Sequence, residues 1–254
     1  MAITIKSERE IELMAEAGKI LERVHNELEK ALHPGMSTKD IDTLGEEIIR
    51  SYGCIPSFLN YNGYPASICV SVNQEVVHGI PDKHRIIHEG DIVSLDAGLI
   101  YKGYHSDAAR THAVGEVSEE AKKLIQVTKE CFFEGIKYAK AGNHLFDISG
   151  AIGRYAEERG YGVVRDLCGH GIGTALHEAP EIPNYEVGRK GVKLRPGMTL
   201  AIEPMINIGN YEVDWLDDDW TVVTRDGSLS AHYENTILIT EGEPRILSLT
   251  CDNE

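Results

Sequence analysis

An internal repeat restricts the fold of this 254-residue chain more than any other feature of its sequence. Laid on itself at an offset of 107 residues, the chain aligns identical residues: Gly35 with Gly142, Asp40 with Asp147, Ile41 with Ile148, Gly53 with Gly160 and Gly90 with Gly197. That offset, and one of 127 after a further insertion, aligns pairs of acids: Asp96 with Glu203 and Asp107 with Glu234. The repeat predicts one domain with two related halves, roughly residues 1–115 and 116–254.

Each half predicts the same order of elements, two helices followed by strands. A capping-box pattern from Ser7 to Glu10 precedes apolar residues at helical spacing, which predicts a long first helix that ends at Pro34. The other predicted helices span residues 38–51, 118–139 and 145–159, and the predicted strands span residues 68–73, 91–98, 107–114, 198–206, 221–224 and 234–240. A chain with 42% hydrophobic residues can bury the core of such an α+β domain.

Charge and composition argue against several classes of protein. The formal net charge is −16, without clustered Lys and Arg, which argues against a nucleic-acid-binding surface. The N-terminal residues lack the apolar stretch of a signal peptide and no run reaches membrane length, so we expect a cytoplasmic protein without a membrane partner. The spacing of the five cysteines argues against a disulfide scaffold or a structural zinc site: Cys54, Cys69, Cys131, Cys168 and Cys251.

Five side chains that can bind metal lie in short apolar, strand-like segments: Asp96, Asp107, His170, Glu203 and Glu234. Strand alternation places Asp96 on one face with Ile92 and Ser94, so its carboxylate can point into a cleft. Four carboxylates that converge without cations would repel one another, which favours a divalent-metal site. Four acids exceed the shell of a single ion and match carboxylates that bridge two ions. The oxygen-rich set suits Mn²⁺, Fe²⁺, Co²⁺ or Zn²⁺.

The sequence resembles the methionine aminopeptidases, in their type I bacterial form. The resemblance covers nearly the whole chain and rests on segments in the family's order and spacing: NYNGYPASICVSVNQEVVHGIP, DIVSLDAG, YHSDAARTHAVG, LCGHGIGTALHEAPEIPNY, IEPM and HYENTILIT. We expect neither an N-terminal zinc-binding extension nor the long insertion, between His177 and Glu203 or nearby, that would mark the type II enzymes. The resemblance implies the pita-bread fold, in which an antiparallel sheet with pseudo-two-fold symmetry is covered by two helix pairs.

The resemblance also implies roles for the five metal-compatible residues. Asp107 and Glu234 would bridge two divalent ions, Asp96 would bind one of them, and His170 and Glu203 would bind the other. A metal-bridged water would attack the scissile carbonyl, and Glu203 would accept its proton.

Further roles follow from the same resemblance. His177 would stabilise the oxyanion, and His78 would contact the peptide nitrogen at the scissile bond. A monovalent cation would lie near Asn73 and Ser230. The methionine pocket would be lined by Phe58, Tyr61, Tyr64, Cys69, Leu176 and Trp220, together with the two histidines.

The implied reaction removes the initiator methionine from nascent proteins whose second residue is small. Nascent polypeptide N-termini are therefore the expected partners, and the resemblance adds the ribosome as a further partner. We expect a monomer.

Two alternatives remain open from the sequence. A proline-specific dipeptidase or aminopeptidase of the same fold would share the five ligands, but such enzymes usually carry a large additional N-terminal domain, and a single two-helix layer precedes Asp96 here. A non-catalytic pita-bread protein that binds peptides would have lost ligand positions, whereas this chain keeps all five, together with His78 and His177.

Overall fold

The computed structural model describes residues 2–249. Within that range the helices are α1 Glu8–Ala31, α2 Thr38–Ser51, α3 Glu119–Ile136 and α4 Leu145–Glu157. The four predicted helices are confirmed, but α3 ends three residues early. Hydrogen bonds from the amides of Tyr138 and Ala139 to carbonyls three residues back tighten the chain into a turn there.

The helix pairs begin in the same way in both halves. Ser37 precedes α2 and donates its backbone N–H to Asp40 Oδ2 at 2.8 Å, and His144 precedes α4 and donates to Asp147 Oδ2 at 2.8 Å. Both residues also form a β-bridge at equivalent places, with Ile86 and Lys193 respectively. These contacts recur 107 residues apart, as the alignment of the sequence with itself predicts.

Fifteen strands lie within the described range. They are β1 Ile55–Pro56, β2 Ile68–Val72, β3 Glu75–Val77, β4 Ile92–Tyr101, β5 Tyr104–Ala113, β6 Gly162–Val163, β7 Gly169–Gly171, β8 Glu178–Ile182, β9 Thr199–Ile202, β10 Met205–Asn207, β11 Val213–Trp215, β12 Val222–Thr224, β13 Ser230–His232, β14 Asn235–Leu238 and β15 Arg245–Ile246. All pairings between these strands are antiparallel, and β9 lies between β14 and β7 in a five-stranded sheet.

The helix pairs cover the strands and bury the core between the two layers. In the first half α1 and α2 pack on β2, β4 and β5, and the apolar face of β4 contributes Val93 and Leu95 to the buried cluster. In the second half α3 and α4 pack near β6, β10 and β13, with Leu200 and Ile202 in the core. The acids on the opposite faces of these strands are thereby held away from the helices.

The two halves join along β5 and β14. The backbone N–H of Glu234 donates to the carbonyl of Ala109 at 3.0 Å, and the Thr236 hydroxyl both accepts from the Asp107 N–H at 3.0 Å and donates to the Asp107 carbonyl at 2.9 Å. These bonds place Asp107, on β5, next to Glu234, which directly precedes β14.

One predicted strand, residues 198–206, is wrong as a single element. The chain forms β9 and then β10, which belong to different sheets. Pro204 lies between them and has no N–H to donate to a ladder, while its carbonyl accepts from the Tyr233 N–H at 3.2 Å. Glu203 therefore lies at a corner of the backbone and not inside a strand.

Two predictions about the chain as a whole concern membranes and cysteines. None of the helices among residues 2–249 combines the length and the apolar character that crossing a membrane requires. Cys54, Cys69, Cys131 and Cys168 carry free thiols, and Cys251 lies outside the described residues.

Candidate metal centre and substrate cavity

The five residues proposed as metal ligands come from five segments that meet at the junction of the halves. Asp96 lies on β4, Asp107 on β5 and His170 on β7, whereas Glu203 follows β9 and Glu234 precedes β14. All five line one cavity of about 370 Å³. The structure therefore brings together the residues that the sequence singles out.

Distances within the cluster are short. Ligand atoms of Asp107, His170 and Glu234 lie within 4.8 Å of one another. Nε2 of His170 is 3.6 Å from Oε1 of Glu203 and 3.9 Å from Oδ2 of Asp107. The imidazole therefore faces the carboxylates through its Nε2.

Burial makes the charged forms of these carboxylates costly. Burial raises the pKa of Asp96, and the charges of Asp107 and Glu203 raise it further. Burial raises the pKa of Asp107 to about 7, and it also raises the pKa values of Glu203 and Glu234. The four carboxylates can all be ionised together only when positive charge compensates their negative charge.

The donor atoms fit a divalent cation. Asp96 Oδ1, Asp107 Oδ1 and Glu234 Oε1 are buried and lack a hydrogen-bond partner among the described residues. His170 donates from Nδ1 to the carbonyl of Gly171 at 2.8 Å, which leaves the lone pair on Nε2, and burial lowers its pKa to about 3. A neutral imidazole with its second nitrogen held by a carbonyl is the usual form of a metal-binding histidine.

The two other histidines singled out by the sequence line the same cavity. The ring of His177 stacks at a tilt on that of His170, with centroids 4.2 Å apart, and its Nδ1 is 2.7 Å from the hydroxyl of Tyr61. His78 has a φ of +59°, an uncommon conformation for a residue with a side chain, and its ring lies edge-on to Trp220 at 6.2 Å. Burial lowers the pKa of His78 to about 4.

The rest of the cavity lining is mostly apolar, and we call it the apolar wall. The six pocket residues expected from the sequence all lie in this wall: Phe58, Tyr61, Tyr64, Cys69, Leu176 and Trp220. Tyr64 and Trp220 meet edge to face at 5.1 Å, and the Tyr64 hydroxyl donates to the carbonyl of Gly79 at 2.8 Å. That bond satisfies the polar tip of Tyr64 and leaves its ring as an apolar surface.

Two residues of the site were not predicted from the sequence. Asn62 lines the cavity from a turn with φ of +51°, and neither hydrophobic periodicity nor the repeat marks it. His232 is buried, with Nε2 3.6 Å from Oε2 of Glu203. Its place two residues before Glu234 was an available signal, because residues two apart in an extended segment share a face.

The sequence of the chain is similar to those of known metallopeptidases over nearly its whole length. Residues 12–241 match Metallopeptidase family M24. A curated methionine aminopeptidase of Clostridium acetobutylicum is 58% identical over 247 residues, which cover 97% of this chain and 99% of the relative. The chain belongs to the methionine aminopeptidases of metallopeptidase family M24. Members of this family are enzymes that use divalent metal, and the carboxylate and imidazole donors of the cluster are of a kind that binds such ions.

Solved structures agree with that membership. The crystal structure of methionine aminopeptidase from Thermotoga maritima superposes with a TM-score of 0.96 at 47% identity, over 98% of this chain and 100% of the other. An Xaa-Pro dipeptidase from Bacillus anthracis superposes with a TM-score of 0.77 at 27% identity and is covered over 62% of its length. The expected pita-bread fold is confirmed, and the proline-specific alternative is the more distant match.

Proposed function

We propose that this chain removes the N-terminal methionine from polypeptides whose second residue is small. The observation that carries the proposal is the cavity itself, in which the buried acid cluster opens directly onto an apolar wall. The free volume of about 370 Å³ suits one side chain next to the reacting bond. Thioether contacts with aromatic rings contribute about 0.3–1.5 kcal/mol each, and Tyr64 and Trp220 offer two such rings.

We assign two divalent ions to the cluster, with Mn²⁺, Fe²⁺, Co²⁺ and Zn²⁺ as candidates. Asp107 and Glu234 would bridge them, Asp96 would complete one shell, and His170 and Glu203 would complete the other. The unpartnered oxygens of Asp96, Asp107 and Glu234 support this assignment. When bound, the ions would polarise the scissile carbonyl and lower the pKa of a water.

The chain's own residues would do the remaining work. Glu203 would accept the proton of the attacking water, and its Oε2 lies 3.6 Å from Nε2 of His232. His177 would donate to the oxyanion, held in place by the Tyr61 hydroxyl on its Nδ1. His78 would contact the peptide nitrogen from its position beside Trp220.

We further propose a single catalytic domain with halves 1–115 and 116–254, working as a monomer in the cytoplasm, where nascent chains and ribosomes are available as partners. A monovalent cation near Asn73 and Ser230 belongs to the same proposal. The backbone N–H of Ser230 donates to the carbonyl of Asn73 at 2.9 Å, which supports placing both residues at one site.

Methionine release from Met-Ala-Ser tests the proposed function. The protein is stripped with chelator, reloaded with Mn²⁺ or Co²⁺, and assayed beside a peptide that contains Ala-Pro. We expect metal-dependent cleavage of Met-Ala-Ser alone. Cleavage of the Ala-Pro peptide would favour the proline peptidases, and no cleavage of either by folded, metal-loaded protein would favour a peptide-binding role.

A further inference from the structure

A second cavity adjoins the substrate cavity. Its volume is about 610 Å³, and it shares His170 and His177 with the first cavity. We call it the downstream cavity; its lining includes these two histidines with Phe146, Cys168, Glu181 and Arg189. Under the proposed function, on which this inference rests, the first cavity holds the methionine side chain. The polypeptide beyond the scissile bond must then leave past the two histidines.

The end of the downstream cavity near the metal cluster carries an uncompensated carboxylate. Glu181 on β8 lies opposite His170 on β7 in the strand register, and opposed residues project from the same face with Cβ atoms about 4.5–5.5 Å apart. Glu178 also lines the cavity, but its Oε2 pairs with Lys6 Nζ at 2.6 Å. No ion pair of Glu181 is present among residues 2–249, and its side chain is exposed.

The other end carries a positive charge. The guanidinium of Arg189 lies 5.4 Å from the ring centroid of Phe146, and Arg189 is exposed. Both residues also line a neighbouring cavity that contains none of the five metal-cluster residues, which places them at the end away from the scissile bond. The downstream cavity is therefore negative near the cluster and positive farther out.

We propose that the downstream cavity binds the third and following residues of the substrate and selects them by charge in a fixed order. A basic side chain is favoured at the third position, beside Glu181. An acidic side chain is favoured farther along the peptide, beside Arg189, and the peptides below probe this preference at the fifth position.

The third-position preference is tested with the peptides Met-Ala-X-Ala-Ala-Ala, where X is Lys, Gln or Glu. For the metal-reloaded protein we expect kcat/KM to be about fivefold higher for Lys than for Glu, in the range of exposed charge pairs. Glu181→Gln brings this ratio close to one, and Glu181→Lys reverses it. The control Glu120→Gln removes an exposed carboxylate on α3 and makes the same change in net charge, and it keeps the wild-type ratio.

The distal preference is tested with Met-Ala-Ala-Ala-X-Ala. Here wild type prefers Glu over Lys, Arg189→Gln loses the preference, and the control Arg23→Gln, an exposed arginine on α1, keeps it. The two control variants, Glu120→Gln and Arg23→Gln, cleave Met-Ala-Ser at the wild-type rate. If the metal-loaded wild type cleaves Met-Ala-Ser normally but shows no charge preference, this inference alone is overturned. The same holds if the third-position preference survives Glu181→Gln. Failure of metal-loaded wild type to cleave Met-Ala-Ser overturns the proposed function instead.

Discussion

The Thr236 hydroxyl makes the sharpest test of how the two halves hold the metal cluster. It accepts from the backbone N–H of Asp107 at 3.0 Å and donates to the carbonyl of the same residue at 2.9 Å, and Thr236 is fully buried. Thr236→Val keeps the shape of the side chain and leaves two buried backbone groups without this partner. At about 1–3 kcal/mol for each unsatisfied group, we expect the free energy of unfolding to fall by about 2–6 kcal/mol.

Thr128→Val is the matched control. Thr128 is equally buried on α3, but its hydroxyl donates to the carbonyl of Leu124, a residue four positions back in the same helix, at 2.8 Å. That carbonyl keeps its helical hydrogen bond, so we expect a loss of at most about 1 kcal/mol.

Both variants are compared with wild type by urea unfolding after chelator has removed the metal, because bound metal would add its own stabilisation. The slope of the unfolding free energy against urea concentration should stay constant while the midpoint of unfolding moves. If Thr236→Val and Thr128→Val lose the same stability within about 0.5 kcal/mol, the hydroxyl does not hold Asp107 and the reasoning is refuted.

Two further predictions concern a metal ligand and a buried histidine. Asp107→Ala should lower kcat/KM for Met-Ala-Ser by about a thousandfold or more, about 4 kcal/mol, and near-normal activity would contradict the bridging role. His25 donates from Nε2 to the Ala108 carbonyl at 2.8 Å, and burial holds its pKa well below 6.5. Its contribution to stability is therefore complete above about pH 6.5 and is lost as the pH falls below that value, by up to about 1.4 kcal/mol per pH unit. His25→Gln should flatten the pH dependence of unfolding between pH 6.5 and 5, and an unchanged slope would contradict the assignment.

Local patterns in the sequence predicted the elements that local forces determine. The helix at residues 38–51 is confirmed with both bounds, because a capping box at Ser37 begins it and its apolar positions face the strands. The alternation around Asp96 is also confirmed, since Val93 and Leu95 are buried under α1 and α2. A period of two in a strand or of 3.6 in a helix is carried by the residues themselves.

Features that depend on pairing between distant segments were less accessible. The sequence aligned Asp107 with Glu234 at an offset of 127. In the ladders, Ile92 pairs with Ala113, and its equivalent Thr199, 107 residues later, pairs with Leu238. Ala113 and Leu238 are therefore equivalent positions, and the second strands of the two pairs are related by an offset of 125 (238 − 113). The difference of two residues keeps the strand face, so both acids still reach the cluster, but only the hydrogen-bond register reveals it.

The strand ladders show that the repeat also reaches the histidines of the site, at a different offset from the acids. Ser71 pairs with Ser94 in the first half and His170 pairs with Ala201 in the second, so Ser71 and His170 occupy equivalent positions 99 residues apart. The same offset of 99 aligns His78 with His177. Each half therefore supplies two acids to the cluster and one of these two histidines to the cavity. The halves differ at His170, where the first half has a serine, so a single imidazole breaks the symmetry of the cluster.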